Sequence, residues 1–481
     1  MANKLRHILI LLFLFSLLGF DNAQNTFFNS YGGSGNDFGE NIIYCKDSGF
    51  VTVGGTESYG NGLMDLYILK INSTGDAEWH KTFGGPNIDY GKDIVQTNDS
   101  GYIACGYSNS QDMNYDIFLI KIDQIGNQVW SKRFGGDNWD FGHKIIQSKI
   151  NPSEFFVVGQ TYSYGNGSGD GFILKINEQG DSLWMKTYGG TQNDLFNDLL
   201  EDEDGNIYAT GSFSNSTQES VLWVTKTNFI GDTIWNYQHD SINTNGKSIT
   251  KINDKIIFCG NQHLISSSSN IESKYVIGSI DTNGQNTFNV NYNYYSNFEE
   301  SCIKVIPKPN SANYNLIANY FTFGENLIFS AELNNQNQVG TSYINGNGND
   351  FAEGVDTIPN QDELIICGTT EQTINGFTDI FISKTVNSLW SNNFNNNLLL
   401  NKADIEKRKP LIFPNPSSDI IQIYGTSSDE KILVYNSMGL KVDDDYLKNG
   451  SYCTKHLKAG LYWIFFPEKK EIKEGFKLIL L

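Results

Sequence analysis

The side chains best suited to chemistry in this 481-residue chain are carboxylates, and they recur at fixed places. Asp37, Asp89, Asp140, Asp194 and Asp350 occupy one position of a repeating pattern, and Asp65, Asp116, Asp170 and Asp379 occupy another. A glycosidase needs one pair of carboxylates at a set distance across the scissile bond. A carboxylate present in most repeats suits a different task, capping turns through side-chain to backbone hydrogen bonds. Past the N-terminal segment the histidines are His80, His143, His239, His263 and His456, and the chain has no nucleophile elbow, zinc-protease helix motif or phosphate-binding loop. No catalytic residue is assigned. Asp202-Glu203-Asp204-Gly205-Asn206 opens like a calcium loop but lacks the later bidentate glutamate. No cofactor and no metal site are expected, and calcium has no specific motif behind it.

What differs between repeats is more informative for binding. The segments 56–64, 107–115 and 161–169 are irregular and rich in Tyr, Asn, Ser and Gly. They place Tyr59, Tyr107, Tyr115, Tyr162 and Tyr164 beside Asn61, Asn109 and Asn166 on one face of the repeat array. Tyrosine offers a flat apolar ring with a hydroxyl, and asparagine a paired donor and acceptor, a combination suited to sugar rings or peptide segments. Polar loops are also what protein surfaces ordinarily carry. The expected function is a non-catalytic binding protein that recognises glycan or protein. A polysaccharide hydrolase or lyase, or a structural cell-surface component, are the alternatives.

The elements that must position these groups are read from composition and period. There are 34 basic against 54 acidic side chains, a net charge of −20, and the acidity lies in the central part of the chain. Such a surface disfavours nucleic acid and anionic membrane as partners. Residues 1–23 have a charged start (Lys4, Arg6), an apolar run from Ile8 to Phe20 and a small residue, Ala23, at the cut, which describes a secretory signal peptide. The run is too short to span a bilayer and no other such stretch follows, so the mature chain is expected to have no transmembrane segment.

Self-similarity decides the fold. Leu69-Lys70-Ile71-Asn72, Gly75, Trp79 and Phe83-Gly84-Gly85 return at intervals of about 52 residues, with Lys121, Gly126 and Trp130, then Lys175, Gly180 and Trp184, then Lys226, Gly231 and Trp235. Each copy resolves into four short strands by alternation and turn residues, the pattern of a propeller blade. Seven copies are countable, which predicts an all-β, seven-bladed β-propeller over 24–391. The chain enters in mid-blade, since Thr26–Gly33 matches the fourth-strand segments. This predicts that Phe27–Tyr31 pairs with Ile380–Lys384 and closes the ring, removing exposed sheet edges.

Three of the six cysteines, Cys105, Cys259 and Cys367, share one repeated place where other copies carry Val53, Val158 or Thr210. A place that accepts Cys, Val or Thr asks for a compact buried side chain, and equivalent places in separate blades lie too far apart for a bridge. All six are read as free thiols. No C-x-x-C or Cys/His pairing suggests a metal.

The runs Gly32-Gly33-Ser34-Gly35-Asn36-Asp37-Phe38-Gly39 and Gly346-Asn347-Gly348-Asn349-Asp350-Phe351, with the turns at Asp99–Tyr102 and Asp204–Tyr208, resemble secreted bacterial β-propeller repeats (SBBP-like). The resemblance implies a fold and no activity. Beyond a linker at 392–410, residues 411–481 read as a small β-sandwich. Phe413-Pro414-Asn415-Pro416, Val434–Gly439, Leu457–Tyr462 with Gly460, and Lys477 resemble the type A sorting domain of the type IX secretion system of Bacteroidetes. That resemblance implies the secretion machinery as partner, passage across the outer membrane, removal of the domain, and a mature protein released or attached to the cell surface.

Overall fold

The computed structural model describes residues 26–386, apart from 112–113, 266–270, 293–299, 309–310, 312, 323–324, 335–337, 345–349, 360–362 and 372–377. Beyond these it describes the strands between 411 and 480 and residues 456–458. The proposed signal peptide at 1–23 and linker at 392–410 lie outside the described residues. Two compact units are present, Met1–Trp390 and Ser391–Leu481.

The first unit is seven antiparallel four-stranded sheets. Blade 1 runs Asp37–Tyr44, Phe50–Thr56, Asp65–Ile71 and Ala77–Phe83, and blades 2 to 6 repeat this order, ending at Ile344. The second and third strands of blade 1 are buried throughout, and the fourth is partly exposed, as expected for an outer edge. The cores lie between blades: Val51, Val53, Leu66 and Ile68 of blade 1 pack with Ile94, Tyr102, Ala104, Phe118 and Ile120 of blade 2. The first strands of successive blades touch one another around a complete circuit, including Asp350–Thr357 against Asp37–Tyr44, so they form the inner ring.

Blade 7 is built from both ends of the unit. Asp350–Thr357, Glu363–Thr370 and Asp379–Val386 supply three strands, and Phe27–Tyr31 supplies the fourth. The register runs from Phe27 opposite Lys384 to Tyr31 opposite Ile380, the pairing expected from the sequence. Phe27 thereby stands where blades 1 to 4 place tryptophan, because Lys70 pairs with Trp79, Lys121 with Trp130, Lys175 with Trp184 and Lys226 with Trp235. The constant Lys-to-Trp spacing is therefore a cross-strand pair around a turn. Each of these aromatics rests on the turn glycine of the next blade. A Cβ on Gly180 would stand 2.9 Å from Trp130, one on Gly231 2.9 Å from Trp184, and one on Gly75 2.9 Å from Phe27. The same glycines take positive φ (89° at Gly75, 86° at Gly126), so two constraints select glycine there.

One expectation is corrected. Cys259 and Cys302 form a disulfide with Cα atoms 6.7 Å apart, joining the second strand of blade 5 to the first strand of blade 6. Equivalent places in different blades are indeed remote, but Cys302 is not at an equivalent place, and adjacent blades bring the two strands face to face. Cys45, Cys105 and Cys367 are free and buried.

The second unit has two antiparallel sheets. One joins Leu411–Phe413, Ile420–Tyr424 and Ser451–Cys453, and the other orders Lys441–Tyr446, Lys431–Asn436, Gly460–Phe465 and Phe476–Leu480. Pro414, Asn415, Pro416 and Gly439 lie outside the described residues. Gly460 opens its strand, Lys477 pairs with Trp463, and buried Tyr462 donates its hydroxyl to the Lys458 carbonyl at 2.7 Å.

Candidate functional site: the lumen and its aromatic mouth

Asp37, Asp89, Asp140, Asp194, Asp65 and Asp170 cap turns. The amides of Gly33, Gly85, Gly136 and Gly190 donate to Asp37, Asp89, Asp140 and Asp194 at 2.6–3.0 Å. The amides of Gly62 and Gly167 donate to Asp65 and Asp170 at 2.8 and 2.9 Å. Between successive blades a glycine separates the two kinds of aspartate. A Cβ at Gly84 would stand 2.5 Å from Asp89 and 2.6 Å from Asp65, and one at Gly32 2.0 Å from Asp379 and 2.7 Å from Asp37.

The loop tyrosines divide into two groups. Tyr59 and Tyr164 are latches, donating to the carbonyls of Gly32 at 2.8 Å and Gly135 at 2.6 Å. Asn61 and Asn166 are exposed, and the backbone amide of Asn61 donates to the Asp65 carboxylate at 3.0 Å. Tyr107, Tyr115 and Tyr162 instead converge on Phe141, at ring separations of 5.2, 5.6 and 6.5 Å. Trp139 completes this patch, 5.9 Å from Tyr115 and 6.4 Å from Phe141, with 52% of its surface exposed. Tyr107 also stacks on Tyr90 at 5.5 Å, and Tyr90 lies 6.4 Å from Phe38. The sequence reading missed Trp139, Phe141, Tyr90 and Phe38. The repeated Asp-aromatic-Gly triplets at 37–39, 89–91 and 140–142 were the available signal.

The patch leads to the lumen. In every blade the register of the first strand slips at the same point, leaving one extra residue: Glu40, Lys92, His143, Asn197, Lys247, Ile303 and Glu353. Being bulged residues of the innermost strands, they face the axis. Solvent reaches each of the seven, whereas the residues before and after them are mostly buried. Tyr90 donates to Glu40 at 2.7 Å, Lys92 pairs with the other oxygen of Glu40, and His143 Nδ1 donates to the Phe196 carbonyl at 2.8 Å. Asn197 donates to the Gly246 carbonyl at 2.7 Å.

Below lies a second ring whose charges are partnered. Asp93 takes the Asn41 amide, Lys144 at 3.1 Å and the Ile145 amide at 2.8 Å. Asp198 takes the Ile249 amide at 3.0 Å, and Lys304 donates to the Val355 carbonyl at 2.7 Å.

Enclosure shifts the titrations. Protein surrounding Glu353 pushes its carboxyl up to about 7, with Glu40 adding to the effect. Burial, then Asp37, pushes Asp379 up to about 6, and burial holds His143 down at about 4. Raised carboxyls take up protons on folding, so the stability they contribute is complete below their ordinary values of 4.5 and 3.8 and is lost as pH rises through about 7 and 6. His143 acts oppositely, its contribution present above 6.5 and lost as pH falls towards 4. Asp65, Asp170 and Asp194, also raised by burial, reinforce the carboxyl direction. The propeller should therefore melt at lower temperature at pH 7.5 than at pH 5. A Glu353→Gln/Asp379→Asn double variant should lose most of that slope in thermal scans at the two pH values.

A cavity of about 260 Å³ also lies between blades 3 and 4, lined by Tyr188, Phe213, Trp223, Asn236 and Gln238; none of the tyrosines selected from sequence contributes to it.

An inner ring of first strands, a polar lumen and an aromatic patch beside it define a seven-bladed β-propeller. Residues 411–480 match the secretion system C-terminal sorting domain. The chain is thus a type IX-secreted propeller protein, delivered to the cell surface or the exterior. Among the described residues no helix is long and apolar enough to cross a membrane. No curated relative matches the sequence.

Among solved structures, hydrazine synthase of Kuenenia stuttgartiensis is 10% identical, covering 73% of this chain and 96% of its own, at a TM-score of 0.47. PorZ, a surface component of the type IX secretion system of Porphyromonas gingivalis, is 10% identical, covering 94% of this chain and 60% of its own, at 0.42. The polysaccharide lyase Uly1 is 9% identical, covering 74% and 91%, at 0.45. At these scores the likenesses bear on neither ligand nor chemistry.

Proposed function

We propose that the protein is a non-catalytic binding protein of the cell surface or exterior, whose propeller recognises glycan through the patch formed by Tyr107, Tyr115, Trp139, Phe141 and Tyr162. The observation that carries this reading is Trp139, half exposed beside a continuous aromatic run that ends at the lumen. An exposed indole flanked by tyrosine hydroxyls offers a face for the C–H side of a sugar ring and donors for its hydroxyls. The test is titration of the purified protein with a panel of polysaccharides, followed by aromatic fluorescence, with chain length monitored over hours. Saturable binding with unchanged chains, weakened at least about tenfold in Trp139→Ala, is the expected result.

A second reading, an enzyme acting on polysaccharide, has one observation in its favour: ionisable groups that do not repeat from blade to blade converge in the lumen. Shortening of the chains would establish it and overturn the first. Absence of binding to every glycan would move the assignment to a protein ligand or a structural role.

A further inference from the structure

The lumen carries an arrangement that blade architecture does not require. Elsewhere blades 1 to 4 keep their residues, with aspartates at the caps and Lys opposite Trp. At the bulge the seven side chains differ from blade to blade, because the bulge itself is made by backbone. Five of the seven are nonetheless ionisable, of both signs.

Their partners leave a remainder. Glu40 is occupied by Tyr90 and Lys92, Asn197 by Asn245 and the Gly246 carbonyl, and His143 spends its Nδ1 proton on Phe196. Lys247 and Glu353 have no hydrogen-bond or ion-pair partner among the described residues. They stand two blades apart with apolar Ile303 between them, close enough to feel each other's charge and too far apart to pair. Enclosure disfavours the charged form of both, lowering Lys247 and raising Glu353. The Nε2 of His143, neutral at physiological pH because of its depressed titration, adds an acceptor. The ring underneath is internally paired and competes for none of these groups.

We propose that the lumen is a binding site for a small zwitterion of the amino-acid or dipeptide class, whose carboxylate is taken by Lys247 and whose ammonium is taken by Glu353. Two opposite charges held apart on one axis, neither with a partner of its own, are both satisfied at once by a ligand carrying the complementary pair. A neutral sugar could hydrogen-bond to either group but would not compensate both charges. This site goes beyond the glycan reading and is independent of Trp139.

The probes are glycine and glycylglycine, which offer a short and a longer separation of charges, with N-acetylglycylglycine and glycylglycinamide each lacking one charge. Calorimetric titration of the full protein should give saturable binding of glycine or glycylglycine, and at least about tenfold weaker binding of the two capped forms. Lys247→Met and Glu353→Gln should each weaken the zwitterion by a similar factor, with Trp139→Ala leaving it unchanged. Thermal melts of the variants would confirm that both fold, and the nearly isosteric Glu353→Gln guards against a loss caused by Lys247→Met packing. No saturable binding by either zwitterion, equal binding by the capped forms, or affinities unchanged in both variants would each overturn the proposal. Loss of glycan binding in Trp139→Ala with zwitterion binding intact would separate the two sites.

Discussion

Gly106→Ala is expected to destabilise the propeller by about 3 kcal/mol or more, enough to leave little folded protein at elevated temperature. The bulge that delivers Lys92 to the lumen brings the carbonyl of Tyr90 onto the facing strand, and a Cβ at Gly106 would stand 1.8 Å from that oxygen. Both atoms are backbone or rigidly attached to it, so no rotamer change relieves the overlap. The constraint recurs: a Cβ at Gly54, Gly159, Gly211, Gly260 or Gly368 would stand 1.8–2.0 Å from the corresponding carbonyl. Blade 6 carries Ala318 there, opposite Cys302. Gly205→Ala makes an informative contrast. Its φ of 79° strains an L-residue, but the nearest atom to a new Cβ is 3.5 Å away, so the cost should be only about 1 kcal/mol. Urea or thermal unfolding of the two variants distinguishes a backbone collision from conformational strain. A Gly106→Ala protein as stable as Gly205→Ala would show that the first strand can shift, and with it the lumen.

Removing the closing strand should have an effect of similar size by a different route. Phe28 stacks on Phe381 at 5.3 Å, Phe27 meets Phe50 edge-on at 6.3 Å, and Asn29 and Tyr31 both donate to the Gly75 carbonyl of blade 1. Phe27, Tyr31 and Tyr44 flank the core shared by blades 1 and 7. The two phenylalanines are half-buried, so Phe27→Ala with Phe28→Ala should cost about 3–5 kcal/mol. Losing the strand altogether would leave Asp379–Val386 as an unpaired, apolar edge. The expected outcome is a lower melting temperature, together with self-association that rises with protein concentration. Light scattering against concentration checks it. A monomer with unchanged melting temperature would mean that the ring does not depend on its N-terminal strand.

Much of this architecture was legible before any coordinates. Lys, Gly and Trp at constant spacing exposed the blade, and a fourth-strand motif stranded at the start of the propeller exposed its closure, because sheet pairing follows local alternation and turn chemistry. The turn-capping role of the aspartates was readable for the same reason: the partner amides are only a few residues away. The binding face was legible in part. Tyr107, Tyr115 and Tyr162 do converge, whereas Tyr59 and Tyr164 spend their hydroxyls on glycine carbonyls and act as latches. Nothing in the local composition distinguishes the two groups. The difference is whether the fold offers a carbonyl or an aromatic ring, and that neighbour is some 20 residues or more away in sequence.

The sequence by itself determined the blade, the number of blades, the way the ring closes and the C-terminal sorting signal, since each rests on short-range patterns repeated many times. Tertiary structure decided the rest. Cys259 and Cys302 meet only because adjacent blades stack the second strand of one against the first strand of the next. Glu40, Lys92 and His143 each follow an Asp-aromatic-Gly triplet, but the side chains of Glu40, Lys92, His143, Lys247 and Glu353 differ in kind and read along the chain as one variable position per repeat. They become a constellation because seven identical bulges, each a one-residue slip in register, turn seven unrelated side chains towards a single axis. Ring closure converts a period along the chain into proximity across a lumen, and proximity of that kind leaves no mark on local sequence.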